Sequence, residues 1–239
     1  VSIKYKHKYD IISFSLLRTN NASVPTGQFG TWTFELETYF MSAIIRLAER
    51  RDIPEILEIY SPFILDTAVT FEEEIPDEES FWKRMQGIMS ELPFLVCEID
   101  GKIAGYAYAS GYRSRASYRW SKEVSVYIHP GFQRKRVGHA LYTSMNEMIR
   151  FQGVANLLAI ITMPNEPSVA FHEHFGYKKC GEFSKVGYKM NQWQDVGWFE
   201  LFIQDENKPP VERILPLNEI TELPIFQEAI KNGLDKLKL

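Results

Sequence analysis

The run from Glu123 to Tyr142 constrains the fold most. It reads as a strand, a Pro-Gly break, a short basic turn and the start of a helix. Val124, Val126 and Ile128 alternate with Glu123, Ser125 and Tyr127, so the two sets point to opposite faces of a sheet. The apolar set is expected to face the core. Pro130 and Gly131 break the strand, and Ala140, Leu141, Met145 and Met148 then share one side of a helix from Val137 to Phe151. Gly153 ends that helix. Backbone N–H groups at a helix N-terminus are unpaired and carry partial positive charge, which suits a pyrophosphate. Arg134, Lys135 and Arg136 add three positive charges there, and Gly138 allows close approach of backbone to a ligand. A solvated surface turn would carry the same residues, and these residues alone leave both readings open.

The flanks fit an α/β chain. Asp52 and Pro54 open a helix that carries Ile53, Ile56, Leu57 and Tyr60 on one face. A second helix is predicted over 77–91, with Phe81, Met85 and Ile88 inward. Pro93 to Ile99 and Ile103 to Ala109 form a hairpin across Asp100-Gly101. Beyond Gly153 come a strand at Leu157–Met163, a short helix at Pro167–Phe175 and strands near Gly181–Met190 and Val196–Phe202. One hairpin and two strand–helix steps predict a mixed sheet with helices on both faces. Residues 1–40 show no sustained period and are expected to be an extension outside the fold. The domain is expected over 41–204, followed by a tail over 205–239 with an amphipathic helix near Ile225–Leu237.

Composition narrows the chemistry. A net charge of −4 argues against a nucleic-acid binder held by phosphate contacts. Two cysteines, Cys97 and Cys180, have no metal-ligand spacing, so no metal site is expected; they are predicted to be buried thiols in a reducing cytoplasm. No apolar run reaches membrane-spanning length.

Longer stretches carry a family resemblance. They are Thr70-Phe71-Glu72-Glu73-Glu74, Phe94 to Gly101, Gly105 to Ala109, and Arg113 to Trp120. They continue with Gln133-Arg-Lys-Arg136-Val-Gly138, Pro164-Asn165, His172-Glu173, Gly176-Tyr177, Gly187 to Val196, and Ile214 to Ile220. Residues 44 to about 203 resemble a GNAT N-acetyltransferase domain, within it the phosphinothricin (bialaphos-resistance) acetyltransferase group. The resemblance implies the GNAT fold, with a mostly antiparallel mixed sheet. It also implies acetyl-CoA as co-substrate, transfer to the α-amino group of a small amino-acid-like molecule, and a homodimer.

The resemblance implies residue roles as well. Glu123 falls where the family has its general base, and His172 is a candidate acid on the short helix, although a lone histidine there is more often structural. Tyr142 can pack as core. Coenzyme contacts fall on the backbone of Val126, Tyr127 and Ile128, on the turn and helix start at Arg134, Lys135, Arg136, Val137, Gly138 and His139, and on Asn165. Asn165, read from its neighbours alone, is equally a helix-entry residue. Arg113, Arg115 and Tyr118 fall on the substrate segment, where arginines suit carboxylate and phosphinate or sulfoximine oxygens. The family's loop has glycine where this chain has Arg136. If that position needs positive φ, arginine costs about 1–2 kcal/mol; if φ is helical, the side chain adds a phosphate contact. Protein N-terminal acetylation and coenzyme binding without catalysis are the rival readings.

Overall fold

The computed structural model describes residues 10–13, 37–40 and 42–239, in two units. The first holds an antiparallel pair, β1 (Asp10–Ser13) and β2 (Glu37–Phe40). The remaining residues of the expected 1–40 extension lie outside the described residues.

The second unit, Ala43–Lys238, contains a seven-stranded sheet in the order β3-β4-β5-β6-β7-β9-β8. The strands are β3 (Ala43–Leu47), β4 (Phe94–Ile99), β5 (Lys102–Gly111), β6 (Ser121–Ile128), β7 (Asn156–Met163), β8 (Lys178–Lys189) and β9 (Gln192–Phe202). Every neighbouring pair is antiparallel except β6–β7. That parallel pair needs a crossover, which α3 (Val137–Gln152) supplies.

Helices cover both faces. On one, α1 (Ile53–Leu65) and α2 (Glu78–Met89) bring Ile53, Ile56, Ile59, Phe81 and Met85 onto Phe94, Val96 and Tyr106. Strand alternation turns Gly105 to the other face, and a Cβ there would come within 3.2 Å of Val137 of α3. Ala140, Leu141, Met145 and Met148 of α3 are fully buried, as expected. A short helix α4 (Glu166–His174) follows β7, and α5 (Leu217–Ile220) and α6 (Pro224–Leu234) close the chain.

Asp52 does not cap α1 with its side chain. Its buried carboxylate instead takes two hydrogen bonds from Arg46, at 2.6 and 2.8 Å, and one from the Glu49 N–H at 2.7 Å. Glu98 also reaches Arg46, and this pairing drives the guanidinium pKa further up. β9 begins four residues before the predicted strand. The cause is a two-residue turn at Met190 and Asn191, with φ of 56° and 58°, which pairs Lys189 with Gln192. Cys97 is buried, and burial pushes its thiol up to about 12. Cys180 is exposed on edge strand β8, which corrects its expected burial.

Candidate functional site

The site starts where the parallel pair fails. β6 and β7 are paired only over Ser121–Glu123 and Asn156–Leu158. Beyond Glu123, β7 follows β9 while β6 stays with β5. The register and the bond from His129 N–H to Ala104 O (3.0 Å) fix the alternation along β6. The backbone groups of Ser125 and Tyr127 point to β5, and those of Val126 and Ile128 point to the gap. This corrects the expected backbone contact at Tyr127. Its ring packs among Tyr60 (centroids 4.9 Å), Phe63 (5.2 Å) and Tyr106 (5.2 Å). The face opposite Val126 is therefore core as well, since α1 covers it.

A cleft of about 440 Å³ opens at this gap. Val126, Tyr127 and Ile128 form one wall; Arg134, Arg136, Val137, Gly138 and His139 form another; Asn165 closes it from α4. Sequence reasoning missed Phe63, Val69, Phe132, Gln133, Pro167, Ser168 and Phe171, which also line it. Phe171 had a signal in Gly138, because a Cβ on Gly138 would stand 3.2 Å from that ring. Lys135 does not line the cleft; its chain runs toward the Phe132 ring, 6.0 Å from the centroid.

The turn carries two left-handed arginines. Arg134 has φ 66° and Arg136 φ 58°, and Arg136 is the N-cap of α3, with no side-chain cap bond. The positive-φ alternative at Arg136 is the one realised. The helix start therefore presents amides to the cleft beside two cations. Burial, then Arg136, His174 and Lys238, hold the His139 imidazole below its ordinary pKa. Asn165 is the N-cap of α4: its Oδ1 accepts from the Ser168 N–H at 3.2 Å, and the residue also lines the cleft.

Glu123 sits where β6 leaves β7, opposite Leu158. Half-burial raises its carboxyl pKa, and the positive charge of Arg113 partly opposes the rise. Arg113 stacks over Tyr112 (5.0 Å) and Tyr118 (5.6 Å), and Tyr112 meets Trp198 edge-on at 5.8 Å. Arg113 and Tyr118 thus form one aromatic–cationic wall near Glu123. Arg115, exposed like Arg113, opens the turn Ala116–Tyr118, and its carbonyl oxygen accepts from the Tyr118 N–H at 2.9 Å.

His172 is placed a layer behind the cleft. Its Nδ1 lies 2.8 Å from the Ser168 carbonyl oxygen, which only accepts, so Nδ1 carries the proton. Its Nε2 then accepts from the Tyr142 hydroxyl at 2.9 Å. Burial lowers the imidazole pKa, against a smaller opposing effect of the Ser168 carbonyl. Both nitrogens are engaged inside the fold, and Phe171, not His172, lines the cleft. Tyr142 is fully buried, as core.

Residues 45–198 match the acetyltransferase (GNAT) domain family. The chain belongs to the GNAT acetyltransferases. A phosphinothricin N-acetyltransferase of Streptomyces viridochromogenes is 32% identical over 179 residues, 75% of this chain and 95% of that one. An L-methionine sulfoximine/L-methionine sulfone acetyltransferase of Salmonella typhimurium is 29% identical, over 69% of this chain and 97% of the relative. Among solved structures, a phosphinothricin acetyltransferase from Sinorhizobium meliloti in complex with AcCoA superposes with a TM-score of 0.69 at 29% identity. That likeness covers 73% of this chain and 96% of the other. The GNAT chain's cleft fits the coenzyme by its own chemistry: an open strand edge for an amide-bearing arm, and helix amides with two arginines for phosphates.

Proposed function

We propose that this GNAT chain transfers acetyl directly from acetyl-CoA to the α-amino group of a small anionic amino acid of the phosphinothricin or methionine sulfoximine class. The observation that carries the reading is the juxtaposition at one end of β6. Glu123 stands at the point where the strand edge opens, with Arg113 close enough to act on its charge. The names of the relatives support the substrate class.

Acetyl-CoA, when bound, supplies an activated acyl group. Val126 and Ile128 amides would hold its arm, and Arg134, Arg136 and the Val137–His139 amides its phosphates. Asn165 would flank the arm. Glu123, directly or through a water, takes a proton from the incoming ammonium, because only a neutral amine attacks a thioester. A raised pKa suits a base that must accept a proton and later release it. Arg113 and Arg115 would bind the substrate's anionic oxygens, with Tyr118 as an apolar wall. His172 is left out of the proton path.

The rival reading is a coenzyme-binding protein without turnover. Its motive is the left-handed Arg136, which stands where the family's loop has glycine. Incubating the purified protein with acetyl-CoA and a panel of amino acids, and reading thiol release, decides between them. Release with phosphinothricin or methionine sulfoximine supports transfer; binding without release across the panel favours the rival.

We also infer a cytoplasmic homodimer. Phe183, Val186, Tyr188 and Trp193 are exposed on the β8–β9 hairpin, an apolar face suited to a second copy. Two free thiols suit a reducing compartment. Among the described residues, no helix is long and apolar enough to cross a membrane.

A further inference from the structure

The match to the GNAT domain ends at residue 198, and α6 lies beyond both it and the resembling stretch Ile214–Ile220. It packs along α3 and reaches β3. The fit depends on Gly233: a Cβ there would collide with Ser144 Oγ and the Ala140 carbonyl oxygen. Two bonds fasten the contact. Ser144 Oγ donates to Ala229 O at 2.9 Å, and Asn232 Nδ2 donates to Glu147 Oε2 at 2.9 Å. Leu237 is buried just past the helix.

This anchoring delivers the chain to the phosphate turn. The Lys238 N–H donates to the Lys135 carbonyl at 3.0 Å, in the middle of the segment whose flanking arginines have positive φ. Lys135 is the turn residue that does not line the cleft, and its carbonyl faces the tail instead. A left-handed arginine is disfavoured roughly tenfold relative to glycine at the same place. Such a turn holds its shape only where the surroundings restrain it. The Lys238 ammonium also lies within electrostatic reach of His139, on the cleft wall.

We propose that the C-terminal segment is a positioning device for the coenzyme site: its bond from Lys238 N–H to Lys135 O holds the Arg134–Arg136 turn left-handed, so that the α3 amides and both arginines meet the coenzyme's phosphates. This rests on the reading of the cleft as the acetyl-CoA site. The tail does the work that glycine does for a turn of this kind, and it makes arginine tolerable at 136.

A variant cycle on the full chain tests it. Lys238→Pro removes the N–H, Lys238→Ala keeps it and removes the ammonium, and each is made with Arg136 and with Arg136→Gly. The readouts are the calorimetric Kd for CoA and the KM values for acetyl-CoA and amine. With Arg136 in place, Lys238→Pro raises the Kd about tenfold and Lys238→Ala about twofold. With Arg136→Gly, the proline effect falls to about twofold or less, because glycine takes positive φ unaided. The amine KM stays unchanged throughout. Should Lys238→Pro fail to fold, Leu237→Ala loosens the same segment and should raise the Kd about threefold, again suppressed by Arg136→Gly. An unchanged Kd in Lys238→Pro or Leu237→Ala, or an equal effect with and without Arg136→Gly, overturns the proposal. Absence of CoA binding by the unsubstituted, folded protein would instead remove the coenzyme reading beneath it.

Discussion

The two sides of the gap at β6 are built differently. On the proposed coenzyme side, the polar groups are mainly backbone: the edge of Val126 and Ile128, and the first turn of α3. On the proposed amine side they are the side chains of Glu123 and Arg113, beside the Tyr118 ring. A backbone site depends on conformation and survives most changes of side chain. A side-chain site depends on each residue. Substitutions on the two sides should therefore fail in different ways, and that difference can be measured.

The largest expected effect is on the amine side. Glu123→Gln should lower kcat by about 10²–10⁴, with the CoA Kd within twofold of the unsubstituted protein. The pH profile sharpens the point. Glu123 must be ionised to act as a base, and burial raises its pKa. The kcat/KM of the unsubstituted protein should fall as pH drops through a value above the ordinary carboxylate range, and Glu123→Gln should lose that limb. The stability effect has the opposite sign. A carboxyl with a raised folded pKa opposes folding once ionised; the cost appears as pH rises through the unfolded value and is complete above the folded one. Glu123→Gln should thus melt slightly higher at pH 7. A variant that loses both turnover and thermal stability would break the distinction.

Next in size, Arg113→Ala should raise the amine KM about tenfold or more and leave the acetyl-CoA KM within twofold. Equal rises in both would merge the two sides into one. On the coenzyme side, Gly138→Val puts a branched side chain against Phe171 and should raise the CoA Kd about tenfold, with the amine KM little changed. The smallest functional effect is expected behind the cleft. Tyr142→Phe leaves His172 Nε2 without its donor in a buried place and should cost about 1–3 kcal/mol of stability, read as a lower Tm. If Tyr142→Phe instead lowers kcat without changing Tm, His172 regains a catalytic part.

The same contrast explains what the sequence made legible. Strand, basic turn and helix gave the coenzyme side, because periodicity and a Pro-Gly break report backbone conformation directly. The succession of strands and helices along the chain and most helix limits followed from the same signals; the order of strands in the sheet did not. Four features were hidden. Alternation along β6 could not tell core from solvent, since α1 covers the face that bears Tyr127. The Met190–Asn191 turn takes positive φ without glycine, so the hairpin of β8 and β9 carried only the weaker turn signal of Asn191. His172 and Phe171 are adjacent on α4, and one-residue rotation decides which one reaches the cleft; the Tyr142 hydroxyl, thirty positions away, holds His172 inward. Lys135 was read with its basic neighbours, although left-handed residues on both sides turn it outward.

The most direct measurement is calorimetric titration of acetyl-CoA into the unsubstituted protein and into Glu123→Gln, paired with thiol release in the presence of an accepted amine. The account predicts matching affinities and a collapse of turnover in the variant alone. No association in either protein while both remain folded, or full turnover in Glu123→Gln, would contradict it.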